Sequence, residues 1–306
     1  MKLRRLVAAA LVVGLAAWAA VSVANDVGLS RASAGPLLQL AQAHPGEHVP
    51  SVDGTDPIFF LVLGDSTART VEQSNIADSI HIIGYNPGQN KASILGFPRD
   101  LWVPIPGHGT TKINAASEYG GSELMVQTIE DLTGIKIDYV ASTGFMTFRT
   151  IINELGGVVV KVPYPIDDSH TKLDVDAGKE DMNGKEALAF ARSRYGVPNG
   201  DFSRSENQGV LLQALQSKLV KEFKQDPGRI LDWIGTGLRN TENNIPFEEL
   251  MTLSFAAAKL PSKGVTANCV VPGVIANVGG ISIVKEAGTA QKVYKDMAKD
   301  GLVKCK

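Results

Sequence analysis

The sequence predicts an α/β protein: an α-β-α sandwich with a mixed central sheet, plus an N-terminal transmembrane helix. Three observations carry that expectation. From Ile58 onward, short apolar runs alternate with segments of helical spacing. Two of the early runs, Ile58 to Leu63 and Ala92 to Phe97, are apolar nearly throughout, as strands covered on both faces should be. Near the start, Lys2, Arg4 and Arg5 precede the uncharged run Leu6 to Ala24, which matches the span of a bilayer core.

The elements follow in chain order. Residues 1–25 form a cytoplasmic tip and membrane anchor, with the positive end retained inside and everything after Asn25 outside. Ser22-Val23-Ala24 and Ala32-Ser33-Ala34 also have the form of signal-peptidase sites, so a cleaved leader stays open as the alternative. Residues 26–57, rich in Ala, Gly, Pro and Ser, read as a linker. The main domain spans 58–225, and 226–306 reads as a C-terminal helical extension.

Within the main domain, strands are expected at Ile58–Leu63, Ser79–Tyr85, Ala92–Phe97, Tyr139–Thr143 and Val158–Val162. Helices are expected at Ser122–Thr133, Phe145–Leu155 and Asn183 to about Arg192. Ser203-Arg204-Ser205-Glu206 has the capping-box form and predicts a long helix starting near Ser203. Along it Arg204, Gln208, Leu211, Leu215 and Leu219 form one stripe, polar at the N-terminal end and apolar beyond. Pro227–Leu238 and Pro246–Lys259 have helical patterns too.

Thirty Lys+Arg against 32 Asp+Glu leave the chain nearly neutral, which argues against a dedicated nucleic-acid binder. The five histidines show no zinc spacing, and Gly-x-Ser-x-Gly and Walker A patterns are absent. Asp167-Asp168 and Asp174 with Asp176 fit no EF-hand loop and read as solvated surface. Outside the membrane the two cysteines, Cys269 and Cys305, make an even pair suited to a disulfide.

The cations are concentrated locally. Ala191-Arg192-Ser193-Arg194 is followed by Asp201-Phe202-Ser203-Arg204 and Gln208, with Pro98-Arg99-Asp100 and Lys112-Ile113-Asn114 upstream. Guanidinium groups recognise phosphate bidentately, and several in one cleft suit a diphosphate better than a monoanion. A helix N-terminus beside them adds backbone donors and a positive dipole end.

These blocks, with Glu154-Leu155-Gly156-Gly157-Val158, Leu173 to Gly184 and Gly200-Asp201-Phe202, resemble the LytR-CpsA-Psr family from about Ile58 to about Phe223. The resemblance implies a membrane-anchored, Mg²⁺-dependent phosphotransferase of the bacterial envelope. Such an enzyme moves a glycopolymer from a polyprenyl-diphosphate carrier to peptidoglycan through a phosphodiester.

Carried over by motif, Arg99, Arg192, Arg194, Arg204 and Gln208 bind the diphosphate, with Lys112 beside them. Asp65 and Asp78 match the metal-binding aspartates, and Asp100 orients Arg99. The catalytic set is Arg99, Asp78 and Arg194.

The sequence departs from the family pattern twice. Ile76-Ala77-Asp78-Ser79 carries isoleucine where the family has arginine, and the Gly-x-Asp block is shortened to Gly64-Asp65. Arg69, between those blocks, is the candidate to replace the lost charge. A non-catalytic polyprenyl-diphosphate binder is the alternative that Ile76 supports. A transcriptional attenuator, a label the family has carried, conflicts with the outside location and the lack of a helix-turn-helix signal.

Overall fold

In a computed structural model of the protein, residues 54–66, 76–261 and 263–305 are described. The anchor and most of the linker lie outside these residues. Among those described, no helix is long and apolar enough to cross a membrane.

The elements run β1 (Ile58–Asp65), β2 (Ala77–Asn86), β3 (Lys91–Gly96), β4 (Trp102–Ile105), β5 (Gly109–Lys112), α1 (Ala115–Thr133), β6 (Tyr139–Gly144) and α2 (Phe145–Glu154). Next come β7 (Val158–Val162), β8 (Ile166–Asp168), β9 (Leu173–Val175), β10 (Gly178–Met182), α3 (Gly184–Arg192), α4 (Asp201–Gln225) and α5 (Arg229–Asn240). The chain closes with β11 (Glu242–Asn243), α6 (Phe247–Lys259), β12 (Val265–Val270), β13 (Gly273–Val278), β14 (Ile281–Glu286) and α7 (Ala290–Asp300).

A six-stranded sheet in the order β11-β6-β1-β2-β3-β12 forms the middle layer. It is mixed: β1 is parallel to β6 and antiparallel to β2, and β3 is parallel to β12. Alternation sorts side chains to its two faces. Phe59, Leu61 and Leu63 join Met125, Val126 and Ile129 of α1 and Tyr294 and Met297 of α7 in one core. Phe60, Ile83 and Ile94 face the other way, toward α4, α5 and α6.

Helices therefore cover both faces, as the nearly continuous apolar character of the β1 and β3 runs predicts. A smaller core between β7, α3 and α4 holds the β8–β9 hairpin. The strand directions bring the carboxyl ends of β1, β3, β6 and β12 to one edge, together with the start of β2. Ligand sites of open α/β sheets form at such an edge.

The N-terminal end of α4 lies against this edge, and Gly96 makes that approach possible. A Cβ there would come within 2.4 Å of the Ser205 hydroxyl oxygen and 2.8 Å of His81 Nε2. His81 is fully buried beneath α4, its Nε2 3.0 Å from the Ser205 carbonyl and its Nδ1 3.1 Å from Ser79 Oγ.

Three expectations are corrected. The long helix begins at Asp201 behind Gly200 (φ 52°), so Ser203 is interior and its hydroxyl accepts the Asn199 N–H at 3.0 Å. The capping box present in the structure belongs to α3, where Asn183 and Glu186 cap each other. The first helix starts at Ala115 and runs through a kink at Gly120–Gly121.

The stretch after residue 226 is not purely helical. It supplies β11 and β12 to the central sheet and the β13–β14 hairpin. Cys269 of β12 is bonded to Cys305, closing the expected disulfide over 36 residues.

Candidate functional site

At the sheet edge, β1 and β2 leave regular register. Gly64 pairs with Ser79 but Asp65 with Ala77, so Asp78 is an extra residue in a β-bulge. The core confirms the irregularity, because Ala77, Ile80 and Ile82 all enter one face, which strict alternation forbids. The bulge sets the Asp78 carboxylate against Arg99, which follows β3, and the Asp78 carbonyl accepts from Gln208 Nε2 at 3.2 Å. Asp65 is buried at the end of β1, opposite Gly144 of β6.

Three cations here already have carboxylate partners. Arg99 pairs with Asp78 through Nη1, Arg204 with Asp201 within the first turn of α4, and Lys112 with Asp100 at 3.0 Å. Asp100 serves Lys112 more closely than Arg99, whose Nε is 3.9 Å away.

Burial opposes the charge on Arg99, yet Asp78, Asp100 and Asp201 outweigh it and hold its pKa above the ordinary value. Arg204, only 6% exposed, is shifted the opposite way. Burial lowers it first, and the neighbouring positive charges of Arg99 and Arg194 add to that despite Asp201 and Asp78. Both arginines remain protonated at any physiological pH.

Arg194 is placed differently. Asp168, 1% exposed, accepts four backbone N–H groups: His170 at 2.9 Å and Thr171 at 3.2 Å on Oδ1, Arg194 at 3.0 Å and Tyr195 at 3.1 Å on Oδ2. Burial alone would raise its pKa. The four donors override that and hold it below the usual carboxylate range. Asp168 is thus an internal anchor, not the solvated surface group the sequence suggests.

Arg192, at the end of α3, is exposed and stacks over the Phe145 ring at 4.8 Å. Phe145 follows Gly144, the register partner of Asp65, so this stack sits on the same rim. Gln208 uses its amide nitrogen on two carbonyls, Asp78 and Ala191 at 3.0 Å, and so stitches β2 to the end of α3. Ile76 is half-buried at the start of β2, its carbonyl accepting the Ser66 N–H at 3.3 Å. Arg69 lies outside the described residues.

Below the charged cluster, α4 lines an apolar cavity of about 360 Å³. Its walls are Leu212, Gln216 and Leu219 of α4, Phe60, Ile83 and Ile94 of the sheet, and Ile230, Trp233 and Leu250 of the helices beyond. The stripe that starts at Arg204 and Gln208 therefore continues through Leu212, Gln216 and Leu219. Leu211 and Leu215 instead turn into the core around β7. At about 1.5 Å per residue, Arg204 and Leu219 lie roughly 22 Å apart along the helix.

The carboxylates do not form a metal cage by themselves. Among the described residues, no group of three or more His, Cys, Asp or Glu could hold an ion. Asp65 ends β1 and Asp78 is the bulge residue next to its register partner Ala77, so both hard oxygen donors come from the same stretch of the β1–β2 ladder. Mg²⁺ accepts such a partial set, completing its shell with water and phosphate oxygens.

Fold and site together define a three-layer α/β domain with an arginine-rich sheet edge above an apolar cavity. The LytR_cpsA_psr family profile matches residues 31–299, and the chain belongs to that family. It is 32% identical over 226 residues to the polyisoprenyl-teichoic acid–peptidoglycan teichoic acid transferase TagV of Bacillus subtilis (strain 168), covering 69% of this chain and 56% of that protein. To TagT of the same strain, which carries the same transferase description, it is 34% identical over 198 residues, or 61% of this chain and 60% of that one.

The chain thus spans well under two thirds of either relative's length. The crystal structure of B. subtilis TagV matches with a TM-score of 0.68 at 27% identity, over 81% of this chain and 98% of the other.

Proposed function

We propose that the protein transfers a glycopolymer from a polyprenyl-diphosphate carrier to peptidoglycan, outside the membrane that its N-terminal segment anchors it to. The observation that carries this reading is the single helix α4, with Arg204 at the charged edge and Leu212 and Leu219 on the apolar cavity. That sequence of surfaces suits a molecule that is a diphosphate at one end and hydrocarbon at the other. The names of TagV and TagT, which specify polyisoprenyl-linked polymer and peptidoglycan, point the same way.

In this reading Arg99, Arg194 and Arg204 hold the diphosphate, with Lys112 and Arg192 at the rim, and Arg69 is kept as a further candidate cation on the sequence alone. Gln208 braces Asp78 against α3, because its donors are already engaged. Asp65 and Asp78 would hold Mg²⁺, which when bound neutralises charge on the phosphate oxygens.

The oxygen of a peptidoglycan hydroxyl bonds to the phosphorus that carries the glycopolymer. The bridging P–O bond breaks, polyprenyl phosphate leaves with that electron pair, and the hydroxyl proton is released to water. Reactions of this loose type depend chiefly on positioning and electrostatics, which fixed guanidinium groups supply. Arg99 exchanges Asp78 for phosphate as the carrier binds, so the ground-state ion pair keeps the empty site close to neutral. A carrier binder without turnover is the second reading, favoured by Ile76 in place of the family arginine.

The test is to bind polyprenyl diphosphate and inorganic pyrophosphate to the full chain in detergent. Leu212→Arg and Leu212→Gln should weaken the lipid at least tenfold and leave pyrophosphate unchanged, with circular dichroism reporting the fold. Lipid binding unchanged in both folded variants would refute the assignment of the cavity.

A further inference from the structure

We propose that His170 and Tyr195 form a platform for a pyranose ring, beside the diphosphate position and apart from it. As an assignment of substrate chemistry, it rests on the function proposed above. The two rings stack at 4.0 Å between centroids and 23° between planes. Both are open to solvent: Tyr195 is 53% exposed and the His170 side chain 64%. An aromatic pair that buries so little of itself adds little to the core, yet this one is firmly built.

The bracing comes from beneath. Asp168 accepts the backbone N–H groups of both ring-bearing residues, along with those of Thr171 and Arg194. Thr171 Oγ1 and Ser193 Oγ lie 3.1 Å apart, tying the two loops a second time. Gly196 closes the join: at φ 66°, any Cβ would lie 1.9 Å from the Asp167 carbonyl oxygen. One buried carboxylate therefore fixes a phosphate-binding arginine and an exposed aromatic face with the same set of bonds.

The chemistry of the ligand follows from the surface. A pyranose presents C–H groups on its faces and hydroxyls around its rim. The C–H face is weakly positive and matches the electron-rich face of a tyrosine ring, whose hydroxyl can meet the sugar's own. Imidazole stacks on one face of the Tyr195 ring, and Tyr195 still stays 53% exposed. Tyr195 directly follows Arg194 in the chain, so a sugar on this ring would lie within a residue's reach of the diphosphate. Two sources offer such a ring: the first sugar of the carrier-linked polymer and the acceptor peptidoglycan strand.

The test uses the full chain in detergent with two probes. The first is a free β-1,4-linked N-acetylglucosamine tetrasaccharide, followed through the ring signals of labelled histidines. The second is polyprenyl diphosphate with and without a disaccharide head. Wild type should show tetrasaccharide shifts at His170 but not at His108, or a preference of about fivefold for the disaccharide-bearing lipid, as one aromatic stack provides.

The first result would identify the acceptor as the source and the second the donor; Tyr195→Ala should abolish whichever is present, and Tyr195→Phe should keep it. His108 and Tyr119 form another exposed stack, at 4.6 Å, so Tyr119→Ala is the control. Neither signal in wild type, persistence of the signal in Tyr195→Ala, or equal loss in Tyr119→Ala would overturn the platform. If no form of the lipid binds, the carrier reading fails by itself, and the tetrasaccharide probe still decides the platform.

Discussion

Asp78 and Asp168 each organise an arginine of the site, one at the sheet edge and one in the loop after α3. Asp78 takes hold of the Arg99 guanidinium itself, from a β-bulge that delivers the carboxylate to it. Asp168 grips the backbone of Arg194 and its neighbours. Among the described residues, the Arg194 guanidinium has no ion-pair partner. Under the proposed function, the first arrangement neutralises a charge that would have to change partners when the diphosphate arrives. The second would present a charge ready in advance, needing no rearrangement on binding.

The largest effects expected from this contrast are catalytic. Arg99→Ala and Arg194→Ala should each lower turnover by about 10²- to 10³-fold, the scale for losing one preorganised charge contact. They should differ in stability. Arg194→Ala should unfold in urea within about 0.5 kcal/mol of wild type. Arg99→Ala leaves Asp78 without its partner and should lose about 1–3 kcal/mol. Equal stability in the two variants would erase the distinction.

Next comes Asp168→Ala, which removes the acceptor of four backbone N–H groups and should cost about 3 kcal/mol or more in the same measurement. Because the folded pKa of Asp168 is depressed, its contribution is complete above the unfolded value near 4 and is lost as pH falls through the folded one. The variant should lack that acid limb. Asp168→Asn should fall between the two, and Asp168→Ala with wild-type stability would disprove the anchoring role.

Under both halves lies His81, whose pKa burial lowers to about 4. Its pH dependence has the same sign as that of Asp168, since in both cases the folded state resists the proton. As pH drops from 6.5 to 4 the unfolded chain gains a proton that the folded chain refuses, so stability should decline by on the order of 3 kcal/mol. His81→Gln should flatten that slope, which urea titrations at pH 7 and pH 4.5 would reveal.

The smallest effect is expected from Ile76→Arg, which restores the family's charge beside the bulge. Turnover should stay level or rise by up to about tenfold, with stability within about 0.5 kcal/mol. A failure to fold would mark Ile76 as core.

The sequence made the sandwich legible because the β1 and β3 runs are apolar nearly throughout, β6 opens on Tyr139-Val140-Ala141, and α2 to α6 carry helical periodicity. Its arginine motifs also named the cluster that Arg99, Arg194 and Arg204 form. What it hid depended on tertiary context. Ser203 imitates a helix cap, yet Gly200 starts the helix earlier and leaves that hydroxyl inside. Val265–Val270 is short and mixed in polarity, and it becomes a strand only by pairing with β3.

Asp168 has no motif, because the four N–H groups it collects come from two separate loops. A faint signal was available: an acidic pair preceding Ser169-His170, a turn-prone stretch where a carboxylate can cap its own backbone. The bulge at Asp78 could have been read from the apolar residues at 77, 80 and 82, whose spacing breaks strict alternation.

The most direct measurement is release of polyprenyl phosphate from a polyprenyl-diphosphate oligosaccharide by the full chain in detergent with Mg²⁺ and peptidoglycan, beside Arg194→Ala. The account predicts release that needs Mg²⁺ and falls about 10²- to 10³-fold in the variant, while the oligosaccharide becomes bound to peptidoglycan. Carrier that binds without release would contradict the transferase, and release unaffected by Arg194→Ala would contradict the site.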